Sequence, residues 1–395
     1  MNPSRTSIGQ GIPLWRDERA LRIAAQVVSA IAILGLLAWG FDNLLTAANQ
    51  RGLGLGFSFV NQSAGFPIGE SLIPYTPSDP FIYAFLVGIL NTVQVAVLGI
   101  VLATALGTVV GLARLSQNWL LSRLALAYIE AHRNIPLLVL LFIWYRGVFT
   151  AQLPQVANSL HLPGYIYLNQ RGVYLPKPVF GPGSTAFVVL LALGILLAPV
   201  IWSVLRGVEE RSGRRTHFTL LSLLVLVALP AIGWAIAGRA ALSWDVPVLE
   251  TFNFKGGVHL TPEFSALLVG LVTYTAAFIA EVVRAGIQAV DRGQTEAARA
   301  LGLSNGQVLR LVVIPQALRV IIPPLISQYL NLTKNSSLAF FIGYPELFAI
   351  GKIMINQAGR AVPVFVMIMA AYLAMSLLTS AVLNVYNRRV QLVEH

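Results

Sequence analysis

The residue types that usually carry catalysis are present in this chain, but their spacing assembles none of the familiar sites. A nucleotide-hydrolysing loop needs G-x-x-x-x-G-K-[ST], whose backbone amides and lysine cradle phosphates. The one Gly-Lys pair, Gly351-Lys352, is followed by Ile353 and lacks the upstream glycine. Gly52, Gly54 and Gly56 spell G-x-G-x-G without the continuation of a dinucleotide-binding turn, and read as loop glycines. The five histidines (His132, His161, His217, His259 and His395) make neither H-E-x-x-H nor an i, i+4 pair, so zinc on a helix would find no ligand set. Cysteine is absent, which excludes disulfides, thiolate metal sites and a cysteine nucleophile. No catalytic residue, metal or cofactor is therefore expected on this chain.

The other chemistry open to it is the handling of charged or polar ligands in apolar surroundings. Ionisable groups are costly there and default to a functional reading, with a partner to be named. Glu281 and Arg284 stand three apart in an apolar stretch, able to pair with each other or to line a path. Lys334 closes another such stretch within Asn331-Leu332-Thr333-Lys334-Asn335-Ser336-Ser337, placed to meet a carboxylate or to snorkel to an interface. Asn91, Thr92 and Gln94 either line the same path or bond helix to helix.

The elements that must position these groups follow from composition. Only 11% of the 395 residues are charged and 56% are hydrophobic, against roughly 25% charged in soluble domains. Eight stretches are long and apolar enough to cross a bilayer, at about 23–41, 82–112, 120–144, 186–205, 217–238, 264–283, 315–335 and 363–385. The net charge of +11 does not point to nucleic acid, because its carriers are sparse and alternate between loops. Sixteen of the 27 bases fall in one set of loops and termini, including Arg5, Arg16, Arg114, Arg206, Arg292, Arg310 and Arg389. Eight fall in the opposite set: Arg51, Arg146, Arg171, Lys177, Arg239, Lys255, Lys352 and Arg360. Positive charge marks the cytoplasmic side, so both termini are expected there. The first apolar stretch reads as an uncleaved anchor rather than a secretory signal. The stretches 42–80 and 145–185, rich in Gly, Pro, Ser and Asn, read as external connectors with turns at Gly65-Phe66-Pro67 and Gly181-Pro182-Gly183. The fold class is all-α and polytopic.

One loop carries a more detailed grammar. Asp291 with Gln294 has the form of a capping box that opens a helix through Glu296, Ala297, Ala298 and Arg299. Gly302 is the residue type that closes such a helix in the left-handed conformation. Ser304 with Gln307 opens a second helix, which Pro315 is expected to interrupt. The outline matches a DNA-binding helix-turn-helix, but the membrane stretches on both sides argue against that. A folded elbow with small alanines and directional charges suits docking of another surface; folding against the chain's own face is the alternative.

Glu296-Ala297-Ala298, then Gly302, then Val312-x-Ile314-Pro315 resembles the E-A-A…G…I-x-L-P motif of ABC-importer permease subunits, with Val312 and Ile314 in place of the usual Ile and Leu. Arg133-Asn134-Ile135-Pro136-Leu137-Leu138 resembles the R-x-x-P-L-L of polar amino-acid permeases. Ala280-Glu281-Val282-Val283-Arg284-Ala285-Gly286 and Lys334-Asn335-Ser336-Ser337-Leu338 resemble their A-E-x-x-R-G-G and K-D-T-S-L. The resemblance covers about 85–145 and 263–385 and is closest to the longer Q-type subunit of general L-amino-acid importers. It implies a five-helix permease core with additions, in the bacterial inner membrane. It also implies an elbow docked on a separate ATP-binding subunit, a second permease, a periplasmic binding protein and an L-amino-acid substrate. The expected division is 1–80 for the leader, extra first span and external loop, 81–150 and 263–395 for the two parts of the core, and 151–262 for an insert carrying two additional spans. An ion-coupled secondary transporter and a membrane scaffold remain the alternatives.

Overall fold

The computed structural model describes residues 18–50, 55–181, 184–238 and 242–390. Arg5, Arg16, Arg51, Gly52, Gly54, Arg239, His395 and part of the Gly181 turn lie outside them. Helices α1 (Glu18–Gln50), α2 (Phe81–Arg114), α5 (Thr185–Ser212), α6 (Phe218–Ala237), α7 (Pro262–Gln288), a continuous 38-residue stretch Asn305–Ile342, and α12 (Ala361–Val390) are spanned by, or contain, segments long and apolar enough to cross a membrane. Among the described residues that makes seven, or eight if one bent pair counts as a span.

That pair is α3 (Trp119–Asn134) and α4 (Leu137–Phe142), the latter prolonged by π-helical turns to Thr150. The expected straight span 120–144 is bent by 106° at Ile135. The cause is local. Proline drives the residue before it out of the helical region, and Ile135 is extended at φ −91° and ψ 126° ahead of Pro136.

The core is built on α2. Gly99, Ala103, Gly107 and Gly111 recur every four residues on one buried stripe, and the last two meet Ala276, Ile279, Ala280 and Val283 of α7 almost backbone to backbone. Small residues allow such close approach where lipid gives no hydrophobic drive between helices. α7 starts cleanly, with the Thr261 side chain accepting from Phe264 N at 3.1 Å and Pro262 in the first turn. α8 (Arg292–Ala300) and α9 (Asn305–Val308) form the elbow after α7. α9 runs through π-helical turns at Leu309–Val313 into α10 (Ile314–Asn335). α11 (Leu347–Ala358), which the sequence reading does not anticipate, is a 12-residue helix that follows α10 in the chain and packs against α2 and α12.

The connectors expected to be external carry more structure than turns. β1 (Leu160–Leu162), β2 (Ile166–Asn169), β3 (Gly172–Leu175) and, far along the chain, β8 (Val258–Leu260) pair antiparallel in that order. β4 (Lys177–Phe180) pairs with β5 (Leu242–Asp245), and β6 (Val248–Leu249) with β7 (Phe254–Lys255). These small sheets bracket α5 and α6 in sequence and lead directly into α7. α5 and α6 pack chiefly on each other, with Gly233 against the backbone of Phe187. The ends of the molecule are called the sheet end and the elbow end below.

Candidate functional site

The elbow is a rigid corner with a dressed outer face. α8 ends in a complete Schellman arrangement: Leu303 N donates to Ala298 O at 3.2 Å, Gly302 N to Arg299 O at 2.9 Å, and Gly302 sits at φ +82°. The second cap forms as the sequence implies, with Gln307 Oε1 accepting from Ser304 N and Oγ, both at 2.9 Å. The first does not. Asp291 Oδ1 accepts from Gly293 N at 2.6 Å, while Gln294 turns to Gln316 at 3.5 Å instead of returning to the cap. Pro315 does not interrupt the second helix either. The wider π-helical turns just before it absorb the missing donor and the ring, so Pro315 sits in the first turn of α10 and the helix continues.

The three alanines of the elbow do not share a role. Ala298 is buried with Val308 and Val313 over Ile287 and Val290, locking the elbow to α7 and α10. Ala297 and Ala300 are exposed beside Glu296, Arg292 and Arg299, and none of these charges forms an ion pair among the described residues. Leu301, which the sequence reading passes over, stands 83% exposed at the corner. The elbow thus exposes an apolar tip together with unpaired charges of both signs. The tip's only sequence signal is a leucine placed immediately before the closing glycine.

The candidate path residues separate into three places. Glu281 is held by Arg284, whose Nη2 lies 2.7 Å from Oε2 and whose Nη1 donates to Gln288 at 2.6 Å. Arg114 and Arg133 are close enough to act on the same carboxylate, and Arg133 lies over the Phe278 ring at 5.5 Å. Removing Arg284 alone, as Arg284→Ala, strands a carboxylate in a span. It is expected to cost more stability than Glu281→Ala plus Arg284→Ala together, with a coupling on the order of 1 kcal/mol in a thermal-melting double-mutant cycle. Asn331 and Lys334 share an exposed face of α10, opposite buried Leu332 and Thr333. No hydrogen bond or ion pair among the described residues links them to Glu281 or Asn91.

Asn91 is a staple. Its Nδ2 donates to Glu70 O and Pro345 O, both at 2.9 Å, tying the loop before α2 to the start of α11. Thr92 does similar work, accepting from Leu347 N at 3.1 Å. Gln94, one turn on, faces a cavity of about 520 Å³ at the sheet end, lined also by Glu70, Lys177, His259 and Thr261. Glu346, missed from sequence because α11 was missed, is fully buried as that helix's cap. It accepts from Ala349 N at 2.6 Å and from Phe348 N and Tyr372 Oη at 2.8 Å.

Burial pushes the Glu346 carboxyl up to about 7 in spite of these donors. A carboxyl raised on folding binds its proton more tightly in the native state, so stability is greatest below the unfolded value of about 4.5 and falls as pH rises through about 7. The loss approaches ~3 kcal/mol. The melting temperature of the purified chain should drop between about pH 5 and pH 8, and Glu346→Gln should flatten the drop. Glu70, raised to about 7 by burial and by Glu263, adds in the same direction.

With the fold and these sites described, likeness to known proteins becomes informative. Residues 99–392 match the family described as binding-protein-dependent transport system inner membrane component. The chain is 45% identical over 370 residues to the putative amino-acid ABC transporter permease protein YhdX of Escherichia coli (93% of this chain, 94% of that one). It is 43% identical over 378 residues to the general L-amino acid transport system permease protein AapQ of Rhizobium johnstonii (96% and 94%). To the glutamate/glutamine/aspartate/asparagine transport system permease protein BztB of Rhodobacter capsulatus it is 40% identical over 411 aligned positions (96% and 95%). With a family match across most of its length and relatives alike from end to end, the chain belongs to the inner-membrane components of binding-protein-dependent transport systems, a multi-pass transport subunit rather than an enzyme.

Proposed function

We propose that this chain is a permease subunit of an ATP-driven importer of L-amino acids in a bacterial inner membrane, with both termini and the elbow in the cytoplasm. The amino-acid substrate is supported by the names its relatives carry. The mechanism rests above all on one observation: an exposed Leu301 with exposed, unpaired Glu296, Arg292 and Arg299 on the same elbow, which leads into a 38-residue helical stretch. A push on that corner travels through Ala298, Val308 and Val313 into α7 and α10 together. Pro323 and Pro324 remove two donors inside α10 and give that helix a place to bend.

On this reading a separate ATP-binding subunit closes on the elbow. A second permease completes the pathway and a periplasmic binding protein delivers substrate to the sheet end. Segments 81–150 and 263–395 form the conducting core, and α5, α6 and the sheets of 151–262 are an accessory insert. Reconstitution into proteoliposomes tests this. Uptake of a labelled L-amino acid should require ATP and all partners together. Gradient-driven uptake by this chain alone would make it a secondary carrier, and no uptake with every partner present would make it a scaffold.

A further inference from the structure

The sheet-end cavity gathers groups that the elbow mechanism does not use. It lies between the loop before α2, α2 itself, the start of β4, and the β8–α7 junction, and its volume of about 520 Å³ falls within the range of small-molecule sites. Glu70 is only part-exposed there. Its Oε1 is buried without any donor among the described residues. A buried acceptor left unmatched is costly, and a rotation of the carboxylate toward a donor held in the cavity relieves that cost. Across the cavity Lys177 is exposed at the start of β4. Its cross-strand neighbour Asp245 directs Oδ2 to Gly257 N at 3.0 Å, and no carboxylate among the described residues lies within ion-pair distance of the Lys177 amine. The Gln94 amide opens into the same space, while Asn91 beneath it is consumed by its two carbonyls.

A carboxylate needing a donor, a free ammonium and a neutral amide around one cavity complement a zwitterion. We propose that this cavity is a reception site for the free α-amino acid at the sheet end, with Glu70 taking the α-ammonium, Lys177 the α-carboxylate, and Gln94 meeting the side chain. The inference rests on the amino-acid reading of the transport function. It adds that this permease makes its own contacts with the substrate backbone at the sheet end of the path. Recognition of the α-groups alone leaves the side chain loosely specified, which suits a site serving several amino acids.

The test is equilibrium binding to the purified complex of this chain with its partner permease and ATP-binding subunits, without the binding protein. The probes are L-glutamine, 4-carbamoylbutanoate, which lacks the α-ammonium, and 4-aminobutanamide, which lacks the α-carboxylate. Glu70→Gln should weaken glutamine binding about tenfold and leave 4-carbamoylbutanoate unchanged, and Lys177→Gln should do the converse with 4-aminobutanamide. A purely structural role would weaken all three probes alike. Equal losses, unchanged binding in both variants, or capture of 4-aminobutanamide as tightly as glutamine would overturn the proposal. ATP-driven uptake by the same wild-type complex, with the binding protein restored, separates the two failures. Uptake with indifferent binding removes only this site, whereas no uptake removes the transport reading beneath it.

Discussion

A Gly302→Val chain is expected to insert into the membrane and assemble with its partners, yet lose at least about nine-tenths of ATP-driven uptake and of substrate-stimulated ATP hydrolysis. The reason is backbone geometry. Gly302 holds φ +82°, and nothing lies within 4 Å of where a Cβ would stand, so crowding is not the objection. A β-branched residue is strongly disfavoured at that φ, and relaxing it breaks both bonds that close α8, Leu303 N to Ala298 O and Gly302 N to Arg299 O. α8 then loses its fixed angle to α9, and Leu301, Glu296 and Arg299 no longer present one face. The side chains carry a graded control. Asn tolerates the left-handed region and should keep most activity, Ala should fall between, and Val should be worst. Activities that follow side-chain volume instead of this order would show that conformation at Gly302 is not the cause.

The second large effect concerns folding. A Cβ on Gly107 would lie 2.7 Å from Ile279 Cβ and Cγ2 and 2.8 Å from Ala276 O, and one on Gly111 would lie 2.7 Å from Ala280 O. Side-chain atoms can shift a little, but the two carbonyls belong to α7 and cannot withdraw without separating the helices. Gly107→Leu should therefore prise α2 from α7 and cost upwards of about 3 kcal/mol, enough to deplete the folded chain from the membrane. Gly107→Ala should cost about 1–3 kcal/mol. Gly147, with nothing within 4 Å of its Cβ position, is the matched site where Leu should cost little. Melting curves of the detergent-purified variants read both.

These cases show what could be read in the residues and what could not. The spans were legible because length and apolarity are enforced by the bilayer at every position. The elbow was legible because caps act locally: Ser304 with Gln307 and the glycine at 302 needed no distant partner. The Asp291–Gln294 box failed where a distant partner intervened, since Gln316 of α10 competes for Gln294. Pro136 signalled the break at Ile135, but the apolar run on both sides masked it. Repeating small residues at 99, 103, 107 and 111 were visible in the string, yet only the facing α7 gives them meaning. The small sheets were the least legible, because β3 pairs with β8 across more than eighty residues and the strands are two to four residues long. Lys177 starts one of these strands and Glu70 lies in the loop before α2, more than a hundred residues away, so their juxtaposition has no local signature.

The central claim, that the elbow is the docking face for an ATP-binding subunit, is open to a direct measurement because the chain contains no cysteine. Leu301→Cys places one thiol at a position already 83% exposed, and Ser243→Cys places one on exposed β5 at the sheet end. With a short reagent that is thiol-reactive at one end and photoactivated at the other, in the assembled importer, Leu301→Cys should crosslink to the ATP-binding subunit in a yield that changes when ATP is added, and Ser243→Cys should not crosslink to it. Absence of that product from Leu301→Cys, with the subunit present and ATP hydrolysis intact, would contradict the account.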